Sequence, residues 1–307
     1  MRLVFLGTSA FACPALITLA AHHGIALVVT QPDRPAGRKQ TLQPSPVKRE
    51  AQKAGLPIAQ PERINAPRTL ERLQAARPEA IVVAAYGQLL RPAVFDLPPL
   101  GTINIHGSLL PRHRGAAPVN WAILRGDAQT GVTTFLIDAG MDTGPILLQQ
   151  ATPIGADETA GELHDRLAEL GAALILETLV RLEDGTVTPT PQDESLATLA
   201  PKLVRMDGLV DWDQPAARIH DQVRGSNPWP GAFTHLGHDR VKLHRTAKTD
   251  IARGSARPGS IVLPETGRLL VGTADELIEI AELQRAGHSR TDGRAFLNGV
   301  RAETAFS

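Results

Sequence analysis

Short apolar runs alternate with helical patterns through the first half of the chain. Arg2 to Leu6, Ala26 to Thr30, Ala80 to Ala85, Thr102 to Ile105 and Val132 to Ile137 are rich in aliphatic and β-branched residues, and each reads as a buried strand. Between them, Phe11 to Ala21, Pro46 to Ala54, Leu70 to Ala76 and Val119 to Leu124 carry helical spacing. Continuous apolar strands separated by helices predict a parallel sheet covered on both faces, in which ligands sit beyond the carboxyl ends of the strands. The clearest helix is Thr159 to Leu182. Thr159 and Glu162 have capping-box spacing, Leu163, Leu167, Leu170 and Leu174 share one face, and Gly185 is a natural stop.

The texture changes after Gly185. Thr, Pro and polar residues dominate Thr186 to Pro201, which reads as a linker. Ala216 to Val223 is helical. Val241 to Leu243, Ser260 to Leu263, Leu269 to Val271 and Leu277 to Ala281 are short strands punctuated by Gly and Pro, the pattern of a small β-barrel. The expected organisation is an α/β, Rossmann-like domain over 1–185, a linker over 186–205, and an OB-like β-barrel domain over 206–307.

Composition narrows the class. The chain has 307 residues, 42% hydrophobic and 21% charged, enough for two cores and too apolar for wholesale disorder. Formal net charge is zero, so affinity for nucleic acid has to come from local patches. The lone Cys13 excludes an internal disulfide and a CxxC zinc site and fits a reducing compartment. The amino-terminal apolar run is too short for a signal peptide and no stretch is long enough to span a bilayer, so a cytoplasmic, membrane-free protein is expected. Gly7-Thr8-Ser9-Ala10 does not continue as GxGxxG, and there is no phosphate loop, nucleophile elbow or HExxH pair. Hydride transfer, ATP hydrolysis and zinc proteolysis are therefore not the first expectations.

Chemistry concentrates between Gly101 and Gly144. Asn104-Ile105-His106 ends a strand, so the amide and the imidazole point to one face. Together they can serve one carbonyl carbon: the amide donates to the oxygen as charge builds, and the imidazole handles a proton. Asp142, in the glycine-flanked run Asp138-Ala-Gly140-Met-Asp142-Thr-Gly144, can orient that imidazole. The trio suits acyl transfer to an amine without a covalent enzyme intermediate and without a metal.

Asn-x-His, then Ser108-Leu109-Leu110-Pro111, then the distant Asp in DxGxDTG, in this order, resembles the formyltransferase family that uses 10-formyltetrahydrofolate. The resemblance implies that Asn104, His106 and Asp142 are catalytic. It places Ser108, Leu109, Leu110 and Pro111 in the folate pocket, with Tyr86, Gly87, Asp138 and Gly140 as further pterin-side candidates. The family divides by formyl acceptor. The run Thr30 to Arg38 followed by Pro44 to Lys48, the run Arg112-His113-Arg114-Gly-Ala-Ala-Pro118, and Asn227-Pro-Trp-Pro-Gly231 resemble the members that formylate methionyl initiator tRNA.

Local charge agrees with an RNA partner. Arg34, Arg38, Lys39 and Lys48 make the first loop basic, and Arg240, Lys242, Arg245 and Lys248 make a candidate phosphate track on the barrel; Arg114 is a further candidate. Trp121, Trp212 and Trp229 read as packing residues. A monomer is expected. The alternatives are the same folate chemistry on a sugar-nucleotide amine, and a non-catalytic module that binds folate or RNA.

Overall fold

The computed structural model describes residues 1–36, 41–262, 267–298 and 305–307. Its contacts group into two compact units. The first contains Met1–Pro118, Gln129–Pro153 and His164–Ala200; the second contains Val119–Ala128, Ile154–Leu163 and Pro201–Ser307.

In chain order, the first half runs β1 (Arg2–Gly7), α1 (Cys13–His22), β2 (Gly24–Val29), a hairpin of β3 (Arg34–Ala36) and β4 (Thr41–Gln43), α2 (Pro46–Lys53), β5 (Ile58–Ala59), α3 (Pro67–Ala76), β6 (Ala80–Ala84), α4 (Pro92–Phe95), β7 (Thr102–His106), α5 (Pro118–Leu124), β8 (Gln129–Leu136), β9 (Ile146–Pro153) and α6 (Ala160–Glu183). A seven-stranded sheet has the order β5-β2-β1-β6-β7-β8-β9. Val4, Leu6, Val29, Ile81 and Val83 pack one face of it against Leu73 of α3, all buried. At β7, Gly171 lets α6 come close: a Cβ there would stand 2.8 Å from the Ile105 side chain.

The sheet is parallel from β5 to β7, as the apolar runs imply, but β8 and β9 are antiparallel. Length accounts for the second of these pairings, β8 with β9. Only Ile137 to Pro145 separates β8 from β9, too short for the crossover a parallel pair needs. β9 leaves no clear sequence signature because it is an edge strand whose Gln149, Gln150 and Ala151 lie toward solvent.

The 186–200 stretch, polar enough to read as a linker, belongs to the first unit. Thr190 pairs with Ile146, and Leu199 bridges to Arg114. Arg114 N–H donates to Thr198 O, and Ala200 N–H to Arg114 O.

The second unit is built on α7 (Ala216–Gly225), β10 (Phe233–Leu236), β11 (Asp239–Ala252), β12 (Ile261–Val262), β13 (Leu270–Gly272), β14 (Glu276–Arg285), β15 (Thr291–Asp292) and α8 (Gly293–Leu297). The antiparallel order β10-β11-β14-β13-β12, with β15 on β14, leaves two edges. The carboxy-terminal residues join them: Phe306 bridges to Leu236 beside β10, and Ala305 bridges to Ser260 beside β12. The sheet thus curls into the small barrel predicted from its strand spacing. Phe306 is buried and stacks on Trp212, with ring centroids 5.7 Å apart. Trp212 Nε1–H donates to Thr234 Oγ1, whose hydroxyl donates to Ser307 O. Trp229 departs from the packing expectation and is 50% exposed.

Phe306→Ala should therefore lower stability by about 3–5 kcal/mol and shift tryptophan emission to the red. Urea denaturation followed by fluorescence tests this; a near-neutral change would mean that the closure contributes nothing.

Candidate active site

His106 is the last residue of β7, with Asn104 two positions before it on the same face of the strand. The His106 ring is buried, and its Nε2 lies 2.9 Å from His113 O. A carbonyl only accepts, so Nε2 carries the proton and Nδ1 is left as the exchanging atom. Nδ1 faces Asp142 Oδ2 at 3.7 Å, within ion-pair range but longer than a direct hydrogen bond. Phe135 packs edge-on against the ring from β8. The Asn104 side chain is partly exposed, and among the described residues its amide has no hydrogen-bond partner. An amide donor left open beside an oriented imidazole can meet an oxygen on a bound substrate.

Asp142 sits in the loop between β8 and β9 with φ 56°, the left-handed region. Gly115 N–H donates to its Oδ2 at 2.8 Å. The rest of the loop explains its glycines. Asp138 Oδ1 accepts from Gly140 N–H and from the Thr143 hydroxyl, and a Cβ on Gly140 would stand 1.9 Å from Thr143 Oγ1. A Cβ on Gly144 would stand 1.8 Å from Leu136 O. Asp138 and Gly140, read as pterin-side candidates, thus also shape the turn that presents Asp142.

The loop after His106 is tied down to β8 and β9. Ser108 is fully buried and its hydroxyl donates to Arg112 O at 2.6 Å. Thr133 Oγ1 donates to Ser108 O and accepts from Leu110 N–H, and Gln149 Nε2 donates to Leu110 O. Leu110 is buried, which leaves Leu109 and Pro111 with surface to offer a ligand. Tyr86 lies in the core under β1 and β6, and burial pushes its phenol up to about 12, so it is not a proton carrier near neutral pH. Its carbonyl accepts from the Thr8 hydroxyl and from Gln31 Nε2, and exposed Ala85 and Gly87 flank it with positive φ. This turn offers a ligand backbone rather than a side chain.

The basic candidates separate into free and committed. Arg114 is the most committed of them. Its side chain is 6% exposed, and its guanidinium is bonded to both carboxylate oxygens of Glu194 at 2.7–2.8 Å and to Gln192 Oε1. Burial and the Glu194 pair make it the weakest of the RNA-contact candidates by geometry. Lys48 is half-spent on Asp33 at 2.6 Å, an ion pair whose hydrogen bond holds the Asp33 carboxyl below the usual range. Arg34 is exposed and only loosely paired with Glu62 at 3.6 Å. Arg38 and Lys39 lie outside the described residues.

In the second unit, Arg240 stacks on Phe233 at 3.7 Å and Arg245 pairs with Glu162 at 2.8 Å. Lys242 and Lys248 are exposed on β11 with no ion pair among the described residues. Acidic β14 runs alongside, with Glu282 opposite Arg245 and Glu279 opposite Ala247, so the face is mixed rather than uniformly basic.

Among the described residues, no group of three or more His, Cys, Asp or Glu is placed to hold a metal ion, and no helix is long and apolar enough to cross a membrane. A surface recess of about 710 Å³ lined by Gln74, Arg77, Glu79 and Asp96 opens before β6, at the end of the sheet opposite His106. Sequence reasoning missed Gly115, Gln192 and Glu194. The first donates through its backbone, and the other two lie in a stretch whose composition signals only a linker.

The formyl transferase family model matches residues 1–179, and that of the formyl transferase carboxy-terminal domain matches 202–301. A methionyl-tRNA formyltransferase from Trichlorobacter lovleyi is 46% identical over 97% of this chain and 94% of its own length. One from Acidobacterium capsulatum is 49% identical over 97% of this chain and 96% of its own. Among solved structures, a sugar 3N-formyltransferase crystallised with dTDP and 5-N-formyl-THF matches with a TM-score of 0.70 at 16% identity, covering 94% of this chain and 99% of that one. HypX from Aquifex aeolicus in complex with tetrahydrofolic acid matches with a TM-score of 0.63 at 19% identity, over 97% of this chain and 47% of that chain, so this chain spans about half of HypX. These two likenesses are of fold.

Gly144→Ala should displace the loop that carries Asp142 and lower stability by about 1–3 kcal/mol. Chemical denaturation measures it, and wild-type stability would mean that the loop has room to spare.

Proposed function

The chain belongs to the formyl transferase family, and we propose that it transfers the formyl group of 10-formyltetrahydrofolate to the α-amino group of the methionine carried by initiator tRNA. Near-full-length identity of 46–49% to methionyl-tRNA formyltransferases supports the acceptor. The observation that carries the chemistry is the pairing of an open Asn104 amide with a His106 ring whose Nε2 proton is committed to His113 O and whose Nδ1 faces Asp142.

In this reading the folate is a consumed formyl donor. The half-buried Leu109 and Pro111 and the turn at Ala85 to Gly87 line its place. A reference α-amino pKa of roughly 7.7–8.0 leaves a share of the amine neutral at pH 7, able to attack the formyl carbon. Asn104 donates to the formyl oxygen as negative charge gathers there. His106 Nδ1, beside Asp142, receives the proton lost by the amine and returns one to the departing folate nitrogen. The reaction runs in the cytoplasm, where translation begins, on a monomeric enzyme. Exposed Arg34, Lys242 and Lys248 are the RNA contacts best supported by geometry, since their charges are the least committed.

Two results test this. Asn104→Ala should reduce turnover by about 10²–10³-fold, measured as formyl-methionine released from initiator tRNA after mild deacylation; near-normal turnover would make Asn104 structural. Binding of the tRNA should weaken steeply with salt, and Lys242→Ala and Lys248→Ala should each flatten the log–log slope by about one. A shallow slope in wild type would favour a small acceptor, such as a sugar-nucleotide amine.

A further inference from the structure

Gln192 lies between a buried arginine and the backbone of the Asp142 loop. Its Nε2 donates to the carbonyl oxygens of Asp142 and Gly144, each at 2.8 Å. Its Oε1 accepts from Arg114 Nε at 3.0 Å and Nη2 at 2.7 Å. Arg114 is fixed in turn by a two-pronged pair with Glu194, an exposed residue, at 2.7 and 2.8 Å. The Arg114 backbone is pinned on both sides by Thr198 O and Ala200 N–H.

A carboxamide is suited to this place. It presents an acceptor to a cation and two donors to two carbonyls, whereas a carboxylate lacks the donors and an ammonium lacks the acceptor. Such support suits Asp142 because its left-handed φ of 56° is uncommon for a residue with a side chain, although Asp tolerates it better than most. The residue after Arg114, Gly115, supplies the N–H that holds the Asp142 carboxylate. Two segments tied together through Arg114 therefore grip Asp142 twice, by its side chain through Gly115 and by its main chain through Gln192.

We propose that Gln192, oriented by Arg114 and Glu194, is a positioning residue that holds the Asp142 carboxylate at its working distance from His106 Nδ1. The inference rests on the reading of Asp142 as catalytic. It gives the 186–200 stretch a part in the chemistry without contact with either substrate.

The test is steady-state formyl transfer by wild type, Gln192→Ala, Gln192→Glu, Asp142→Asn and the Gln192→Ala/Asp142→Asn double variant, with thermal melts as a check on folding. Gln192→Ala should lower kcat about 10- to 100-fold and leave KM for folate and tRNA within about twofold, as expected of a group that sets reacting geometry. Gln192→Glu keeps an acceptor for Arg114 but sets carboxylate oxygens against two carbonyls, and should lose at least as much. In the Asp142→Asn background, Gln192→Ala should change kcat by less than about threefold, because its effect passes through Asp142. If the Gln192 variants fail to fold, Glu194→Ala, at an exposed position, should lower kcat several-fold at unchanged KM.

Unchanged kcat in folded Gln192→Ala, or in Glu194→Ala where that variant stands in, overturns the inference. So does a full multiplicative loss in the double variant, and so does a rise in KM alone. A wild type that transfers no formyl group overturns the functional reading itself, which an active wild type with an equally active Gln192→Ala would leave standing.

Discussion

A carboxylate held in a left-handed backbone conformation is the constraint around which the first unit is arranged. Asp142 has φ 56°, and a residue with a side chain in that region is disfavoured by about 1–2 kcal/mol relative to ordinary helical backbone. The conformation persists because its surroundings over-determine it: Gly115 N–H on the carboxylate, Gln192 on the main chain, and the Asp138–Thr143 turn beneath. The glycines follow from this geometry. Side chains at Gly140 and Gly144 would collide with the loop and with β8. What the arrangement achieves is placement. A charge that would wander on an ordinary surface loop is brought beside a buried imidazole whose other nitrogen is already committed.

Much of this was legible in the sequence where local pattern decides structure. The apolar runs that became β1, β2, β6 and β7 are buried on both faces, and no other element suits them. The Thr159–Glu162 box forms as its spacing implies, with Thr159 N–H donating to the Glu162 carboxylate and Glu162 N–H to Thr159 Oγ1. The Asn-x-His spacing places two side chains on one face because strand geometry demands it. Non-local pairing was not legible. β9 is a half-exposed edge strand with a broken alternation. Closure of the barrel by Phe306 depends on residues distant in sequence meeting at two sheet edges.

Charge read from sequence omits the partners that the fold supplies. Arg114 follows the SLLP loop amid other basic residues, which suggested phosphate binding. The structure buries it and neutralises it with Glu194, and its partner Gln192 lies in a stretch that composition marks as linker. A formal charge says nothing about whether a counter-charge has been folded against it. The same principle thins the candidate phosphate track on β11. Arg245 is paired and β14 carries Glu279 and Glu282, which leaves Lys242, opposite Gln284, and Lys248, opposite Ile278, as the exposed charges of a mixed face. RNA binding through such a mixed face would select a path for the backbone, since an off-register phosphate meets a carboxylate.

In the proposed mechanism the Asn104, His106 and Asp142 geometry drives formyl transfer to methionyl initiator tRNA. Single-turnover transfer from 10-formyltetrahydrofolate, compared between wild type and Asp142→Asn at equal folate occupancy, tests it most directly. Wild type should transfer rapidly, and the variant should lose several orders of magnitude in rate while still binding folate. Comparable rates in the two proteins, or no transfer by a folded, folate-binding wild type, would contradict it.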